Sequence, residues 1–310
     1  MKIFDLILYN GEEIIDLRFK LLNSRVDYFI VNEFDQTFQG FKKKYTFDKK
    51  KFKKYGDKII YCERKMPLNQ HFKDAWERET YQRNHLMNGV ECKNDDIIIL
   101  SDVDELIDPS KISLNLNNIS LYECLSFRFY GNYINLTNPF WLHPISTSGK
   151  NIKMLTLQKL RMSHKALKKG KEYDIYRKNI NNLNVKKINL SGWHFSSLKK
   201  KNVDLFEMII EKHKSYSHVE FNNKNFNSKN RIKFKIHNSL DLYNAPYLWG
   251  TLKNVISNKI IKEWMEERKL FVHINKFNIN ANFKNKSSFS NIIRLKINNL
   301  INKIVNFFIK

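Results

Sequence analysis

Residues 1–105 switch repeatedly between two apolar periods. Residues 2–9 (KIFDLILY) are an apolar run of strand length. Asn10-Gly11 is a turn signal, and residues 12–23 repeat Ile14, Ile15, Leu17, Leu21 and Leu22 at helical spacing. Residues 28–32 (YFIVN) predict a second buried strand that runs into Glu33, and residues 58–62 (KIIYC) a third. Residues 76–87 predict a helix with a dense polar set, Glu77-Arg78-Glu79 and Gln82-Arg83-Asn84. Ile97-Ile98-Ile99-Leu100 is apolar at every position, the pattern of a strand covered on both faces. This alternation of strand and helix predicts βα units around a parallel sheet, an α/β fold.

The pattern changes after Asp108-Pro109. Residues 125–136 (LSFRFYGNYINL) alternate and are rich in aromatics, which predicts an antiparallel strand or hairpin. Residues 152–160 and 185–190 read as further strands, and 165–178, with Lys168-Lys169-Gly170-Lys171, as a loop. Residues 202–216 predict an amphipathic helix with Val203, Phe206, Ile209 and Ile210 on one face, and 260–268 predict another. The chain thus divides into a domain over 1–277, with halves 1–110 and 111–277, a Lys/Asn-rich linker over 278–290 and a helix over 291–310. In that helix Ile293, Ile297, Leu300, Ile301, Ile304 and Phe308 share a stripe, Lys296, Lys303 and Lys310 take the other side, and no acidic residue occurs. Such a helix lies on an anionic membrane surface or docks on its own domain.

Charge sharpens the division. The chain has 310 residues and a net charge of +24. Residues 1–110 hold 19 Lys and Arg against 20 Asp and Glu, and residues 111–310 hold 36 against 11, so the whole excess lies in the second part. An excess of this kind suits a polyanion, an anionic membrane surface or a phosphorylated substrate, and equally a solvated Lys-rich face. Residues 42–54 (KKKYTFDKKKFKK) pose the same choice locally, phosphate contact or solvated loop. Cys62, Cys92 and Cys124 show no paired or metal-ligand spacing, as expected in a reducing compartment. The apolar run after Met1-Lys2 is too short for a signal peptide's apolar core plus cleavage site, and no run reaches the ~18 apolar residues of a membrane span. A cytoplasmic protein is expected, with residues 291–310 as the segment that could attach it to the inner face of the membrane.

The candidate chemistry sits where the apolar run 97–100 ends in Ser101-Asp102-Val103-Asp104-Glu105. Alternation puts Asp102 and Asp104 on one side of the chain and Val103 on the other. Open α/β sheets bind ligands beyond the carboxyl ends of their strands. Two neighbouring carboxylates repel unless a cation neutralises them, and Mg²⁺ or Mn²⁺ takes oxygen ligands while leaving positions for phosphates. The alternative is a solvated acidic turn.

Further segments change that weighting. Residues 34–40 (FDQTFQG), Arg78-Glu79 with Gln82-Arg83-Asn84, residues 99–105 (ILSDVDE), Gly192-Trp193-His194-Phe195-Ser196 and His218 with Glu220 occur in this order. Together they resemble glycosyltransferase family 17, the family of β-1,4-mannosyl-glycoprotein β-1,4-N-acetylglucosaminyltransferase, over roughly residues 2–245. The resemblance implies a GT-A-type fold, with a Rossmann-like nucleotide-binding half over 1–110 and an acceptor half over 111–277. It implies a nucleotide-sugar donor, UDP-linked, such as UDP-GlcNAc, and inversion at the anomeric carbon. It assigns the metal, Mn²⁺ or Mg²⁺, to Asp102, Asp104 and His194. Donor contacts fall on Asn10, Glu33, Arg83, Asn84, Asp102 and His218.

Inversion in one step needs a carboxylate to take the acceptor proton, for which Glu220, Glu105 and Asp241 are candidates in that order. For His194 the alternative is a core histidine, for Arg83 an ion pair with Glu79, and for Glu220 an exposed carboxylate after a helix. Residues 165–178 and those after Tyr247 match no feature of the family. The basic second part suits a lipid-linked or phosphorylated glycan acceptor, as in synthesis of a surface polysaccharide or lipooligosaccharide. A basic nucleic-acid-binding protein is a competing class, but no nucleic-acid motif appears and none is expected to bind. A metal phosphodiesterase is another, and would need more His and Asp ligands near Asp102.

Overall fold

The computed structural model describes residues 1–252 and 254–272. The linker expected over 278–290 and the helix expected over 291–310 lie outside the described residues. In chain order the strands are β1 (Ile3–Leu8), β2 (Tyr28–Phe34), β3 (Ile59–Arg64), β4 (Ile97–Leu100), β5 (Glu105–Ile107), β6 (Asn118–Arg128), β7 (Tyr133–Asn135), β8 (Phe140–Ser148), β9 (Asn184–Ser196) and β10 (Trp249–Thr251). The α-helices are α1 (Ile15–Leu22), α2 (Ala75–Asn84), α3 (Gly149–Met154), α4 (Leu157–Arg161), α5 (Asp174–Asn179), α6 (Leu205–Ser215), α7 (Lys229–His237) and α8 (Lys259–Glu267). Among the described residues two compact units form, one from residues 1–125, 140–194 and 212–219, the other from 126–139, 195–211, 220–252 and 254–272.

The first unit is α/β and Rossmann-like. Strands β3, β2, β1 and β4 lie side by side and parallel, in that order, so their carboxyl ends share one edge. All four residues of β4 are buried, as the unbroken apolar run requires. Beyond β4 the sheet turns antiparallel through β8 and β6. Helices close over an apolar core of Phe4, Leu6, Ile98, Leu100, Ile145 and Leu160, among others. The second unit gathers Phe129, Tyr133, Leu205, Ile209, Ile232, Leu242 and Trp249, with β7 antiparallel to β10.

Three local expectations are corrected. Residues 152–160 are not a strand: they fall in α3 and α4. The Thr156 hydroxyl accepts from the Lys159 amide and caps α4, and Leu157 and Leu160, three apart, are buried together. Residues 165–178 are not a plain loop but short 3₁₀ turns leading into α5. Asp102 and Asp104 sit in the turn between β4 and β5, not on a strand. Ser101, Val103 and Glu105 are buried and the two aspartates only partly, so the two carboxylates still share a side.

Candidate active site

Arg18 builds the turn from beneath. Its place on α1 among Leu17, Phe19 and Leu21 makes it fully buried, where an unpaired cation would be prohibitive. It forks onto the Asp5 carboxylate at 2.6 and 2.7 Å and donates to the carbonyls of Asp102 (2.8 Å) and Glu105 (2.9 Å) and to the Ser101 hydroxyl (2.6 Å). A buried ion pair between β1 and α1 thus fixes the backbone that carries both aspartates.

A second guanidinium closes the turn from the side. Arg161, the last residue of α4, forks onto Glu105 at 2.6 and 2.7 Å and reaches Asp102 at 2.9 Å. Arg83, near the end of α2, holds the other Asp102 oxygen at 3.1 Å, Glu79 at 2.8 Å and the Gln158 side chain at 2.9 Å. Burial raises the Asp102 carboxyl, but Arg161 and Arg83 outweigh it and hold it well below the usual carboxylate range. The Asp102 side chain keeps 42% of its surface open.

Strand β9 brings the histidine. It pairs antiparallel with β5, setting His194 opposite Glu105 and Gly192 opposite Ile107. A Cβ on Gly192 would stand 2.2 Å from the Leu106 carbonyl, so the glycine lets β9 come this close. His194 Nε2 lies 3.8 Å from Asp104 Oδ1. The imidazole is fixed by stacking on Trp141, with ring centroids 4.4 Å apart, while its Nδ1 is buried with no hydrogen-bond partner. Trp141 and His143, two apart on β8, face the same way, and His143 meets His164 at 4.1 Å. Burial pushes the His194 and His164 imidazoles down to about 4, so both are neutral at pH 7. Burial, joined by the charge on Asp102 and opposed by Lys212, pushes the Asp104 carboxyl up to about 6.

At the carboxyl ends of β1 and β2, Tyr9, Asn10, Phe34, Gln36, Lys43 and Gln82 border a depression. The Gln82 amide donates to the Gln36 carbonyl at 3.1 Å across one wall.

The structure therefore brings Asp102, Asp104, His194, Arg83 and Arg161 together, and sets Asn10 on the same strand-end edge. His218 lies elsewhere in this unit, edge-on to Trp76. The other candidates occupy different settings. Glu33 is buried and bound by Lys43, Thr46, Phe47 and Tyr61 at 2.8–3.0 Å, so it clamps the 43–47 loop and has no face open to a nucleotide. Asn84 accepts from the Gln158 amide at 2.9 Å and ties α2 to α4. Glu105 is fully buried between Arg161 and the Trp141 indole N–H, which leaves no path for an acceptor proton. Asp241, in the second unit, is buried against Arg128 (2.7 Å) and the Trp249 indole (3.1 Å). Glu220, also in the second unit, is exposed in a short 3₁₀ turn.

Sequence reasoning missed Arg18 and Arg161. Arg161 was hidden by reading 152–160 as a strand; the signal for its helix was Thr156 followed by Leu157 and Leu160. Arg18 is one of three charged residues in α1, with Asp16 and Lys20, and nothing in the spacing marks it as the fully buried one.

The family model for glycosyltransferase family 17 matches residues 1–284. The chain belongs to glycosyltransferase family 17. The match runs past Tyr247 into residues that had suggested no family feature. The family 17 chain is thus a glycosyltransferase, an enzyme that takes a sugar from a donor to an acceptor. No curated protein matches it. Among solved structures it is similar to a 4-diphosphocytidyl-2C-methyl-D-erythritol synthase (10% identity, TM-score 0.34, 62% of this chain and 89% of that one). It is likewise similar to the inositol-1-phosphate CTP transferase from T. maritima (14%, 0.34, 70% and 98%) and to S. aureus TarS 1-349 (11%, 0.35, 71% and 74%). At these values the family match carries the assignment, not the structural neighbours. Among the described residues no helix is long and apolar enough to cross a membrane.

Proposed function

We propose that this glycosyltransferase is an inverting, metal-dependent enzyme of GT-A type that takes N-acetylglucosamine or a related hexose from a UDP-linked donor. The observation that carries the reading is the 3.8 Å approach of Asp104 Oδ1 and His194 Nε2. Two ligands each about 2.1 Å from one cation stand about 3–4 Å apart, so the pair fits a single Mn²⁺ or Mg²⁺. The raised Asp104 carboxyl fits too, since a carboxylate whose burial outweighs the nearby Lys212 is what a bound ion relieves. Asp102 is a poorer direct ligand, because both its oxygens already meet arginines. Among the described residues no group of three or more His, Cys, Asp or Glu side chains is arranged to hold a metal. Donor phosphates and water would complete the shell, a usual state for Mg²⁺.

When bound, the cation would draw charge from the departing diphosphate as a Lewis acid. The chain supplies the rest. Arg83 and Arg161 place fixed positive charge beside Asp102, held by α2 and α4. Neutral His194 has a ring-nitrogen lone pair to offer at pH 7. The depression beside Asn10 takes the base and ribose. Of the three carboxylates considered, Glu105 and Asp241 are buried and ion-paired, and neither is assigned the acceptor proton. The excess of basic residues after residue 110 supports a lipid-linked or phosphorylated acceptor of a surface glycan.

The test is thermal stability with UDP-, GDP- and CMP-sugars, with and without Mn²⁺, in the native chain and in Asp104→Ala. A melting shift that needs a UDP-sugar, the metal and Asp104 supports the reading. Equal shifts with and without Mn²⁺, or in both proteins, would remove the metal from it.

A further inference from the structure

Trp76 stands at the exposed end of the α2 face whose buried end is Arg83. Trp76, Glu79 and Arg83 follow at i, i+3 and i+7 and share that face. From Arg83 the face leads outward. Arg83 holds Asp102, Glu79 holds Arg83 and accepts from the Ser217 hydroxyl, and Trp76 meets the His218 ring edge-on at 4.6 Å. Tyr216 lies 5.5 Å from His218. The segment that carries these two rings is seated by Gln39, whose amide donates to the carbonyls of His213 (2.8 Å) and Tyr216 (3.0 Å). The N-terminus of α2 is equally fixed, by the Asp74 cap on the Glu77 amide at 2.8 Å.

A firmly placed indole is left 46% open to water. Glu79 on the same helix face and His218 against the ring are both polar, so the indole stands beside hydrogen-bonding groups. One ring within a polar rim matches a pyranose, which offers one apolar C–H face and hydroxyls at its edge. Seven residues of helix separate Trp76 from Arg83 by about 10 Å. A single pyranose does not span that distance from the reacting centre.

We infer that Trp76, with His218 beside it, is a stacking platform for an outer sugar ring of an oligosaccharide acceptor. The inference rests on the glycosyl-transfer reading and adds the size and class of acceptor: a glycan of at least two rings, with a pyranose on Trp76.

The experiment titrates the full chain with mono-, di-, tri- and tetrasaccharides of glucose, galactose, mannose and N-acetylglucosamine, followed by saturation-transfer NMR. The UDP-sugar melting shift is measured on the same samples. Expected is binding of at least one series that strengthens from the monosaccharide to the longer members. Trp76→Ala should weaken it about tenfold, the worth of one good ring stack, while Trp76→Phe keeps most of it. The UDP-sugar shift should be the same in all three proteins. Binding untouched by Trp76→Ala, no binding of any oligosaccharide to the native chain, or equal loss in both variants would overturn the platform. Absence of a UDP-sugar shift in the native chain instead sinks the donor reading, so the two failures are told apart.

Discussion

Asp104 should cost the protein stability in the absence of metal, and removing its charge should recover it. The carboxyl is lifted from its ordinary 3.8 to about 6, first by burial and then by the charge on Asp102. Its side chain is 19% exposed, so solvent does little to screen it. At about 1.4 kcal/mol per pH unit, that rise corresponds to about 3 kcal/mol of strain on the ionised form. The sign follows from proton binding. Between pH 4 and 6 the folded chain holds a proton that the unfolded chain has released. The contribution is fully present below the ordinary value, falls as pH rises through about 6, and stays lost above. Asp104→Asn cannot ionise and keeps it.

The assay is urea denaturation in EDTA across pH 4 to 8. The variant and the native chain should match near pH 4 and diverge by about 3 kcal/mol in the variant's favour by pH 7 to 8. Added Mn²⁺ should then stabilise the native chain and leave Asp104→Asn unmoved. A variant equal to or weaker than the native chain at pH 8, without metal, would refute the electrostatic account of Asp104.

Three further outcomes follow from the same network. Arg161→Met leaves the buried Glu105 carboxylate without its cation, and should cost about 3–5 kcal/mol in urea denaturation, with Arg161→Lys recovering only part because the fork is lost. Gly192→Ala forces a methyl to within 2.2 Å of the Leu106 carbonyl and 2.8 Å of Cys124 Sγ, and should cost at least about 1–3 kcal/mol while speeding amide exchange along β5 and β9. Glu33→Ala strips the clamp from the 43–47 loop, so trypsin should cut within 42–54 sooner than in the native chain. Burial raises the Glu33 carboxyl, but Lys43, Thr46 and Tyr61 hold it below 4.5, so its stabilisation is present above that value and lost as pH falls through the lowered one.

Periodicity alone was enough for the parallel half. A strand covered on both faces must be apolar throughout, and β4 is, while α1, buried on nearly every side, is apolar at Ile15, Leu17, Phe19, Leu21 and Leu22. The partly open side shared by Asp102 and Asp104 was legible for the same reason, because Val103 between them had to be buried. What surrounds those carboxylates was not. Arg18, Arg83 and Arg161 come from three helices, and sequence spacing carries no distance between separate elements. Only closure of the sheet and its helices decides which cation meets which carboxylate.

Glu33, Glu105 and Asp241 show the cost of that blindness. Glu33 and Glu105 end or closely follow an apolar stretch and Asp241 lies between Leu240 and Leu242, yet each is buried and ion-paired. A carboxylate that donates stability and one that does chemistry have the same side chain. The tertiary structure separates them by whether their oxygens are already spent on a guanidinium or ammonium or still face solvent.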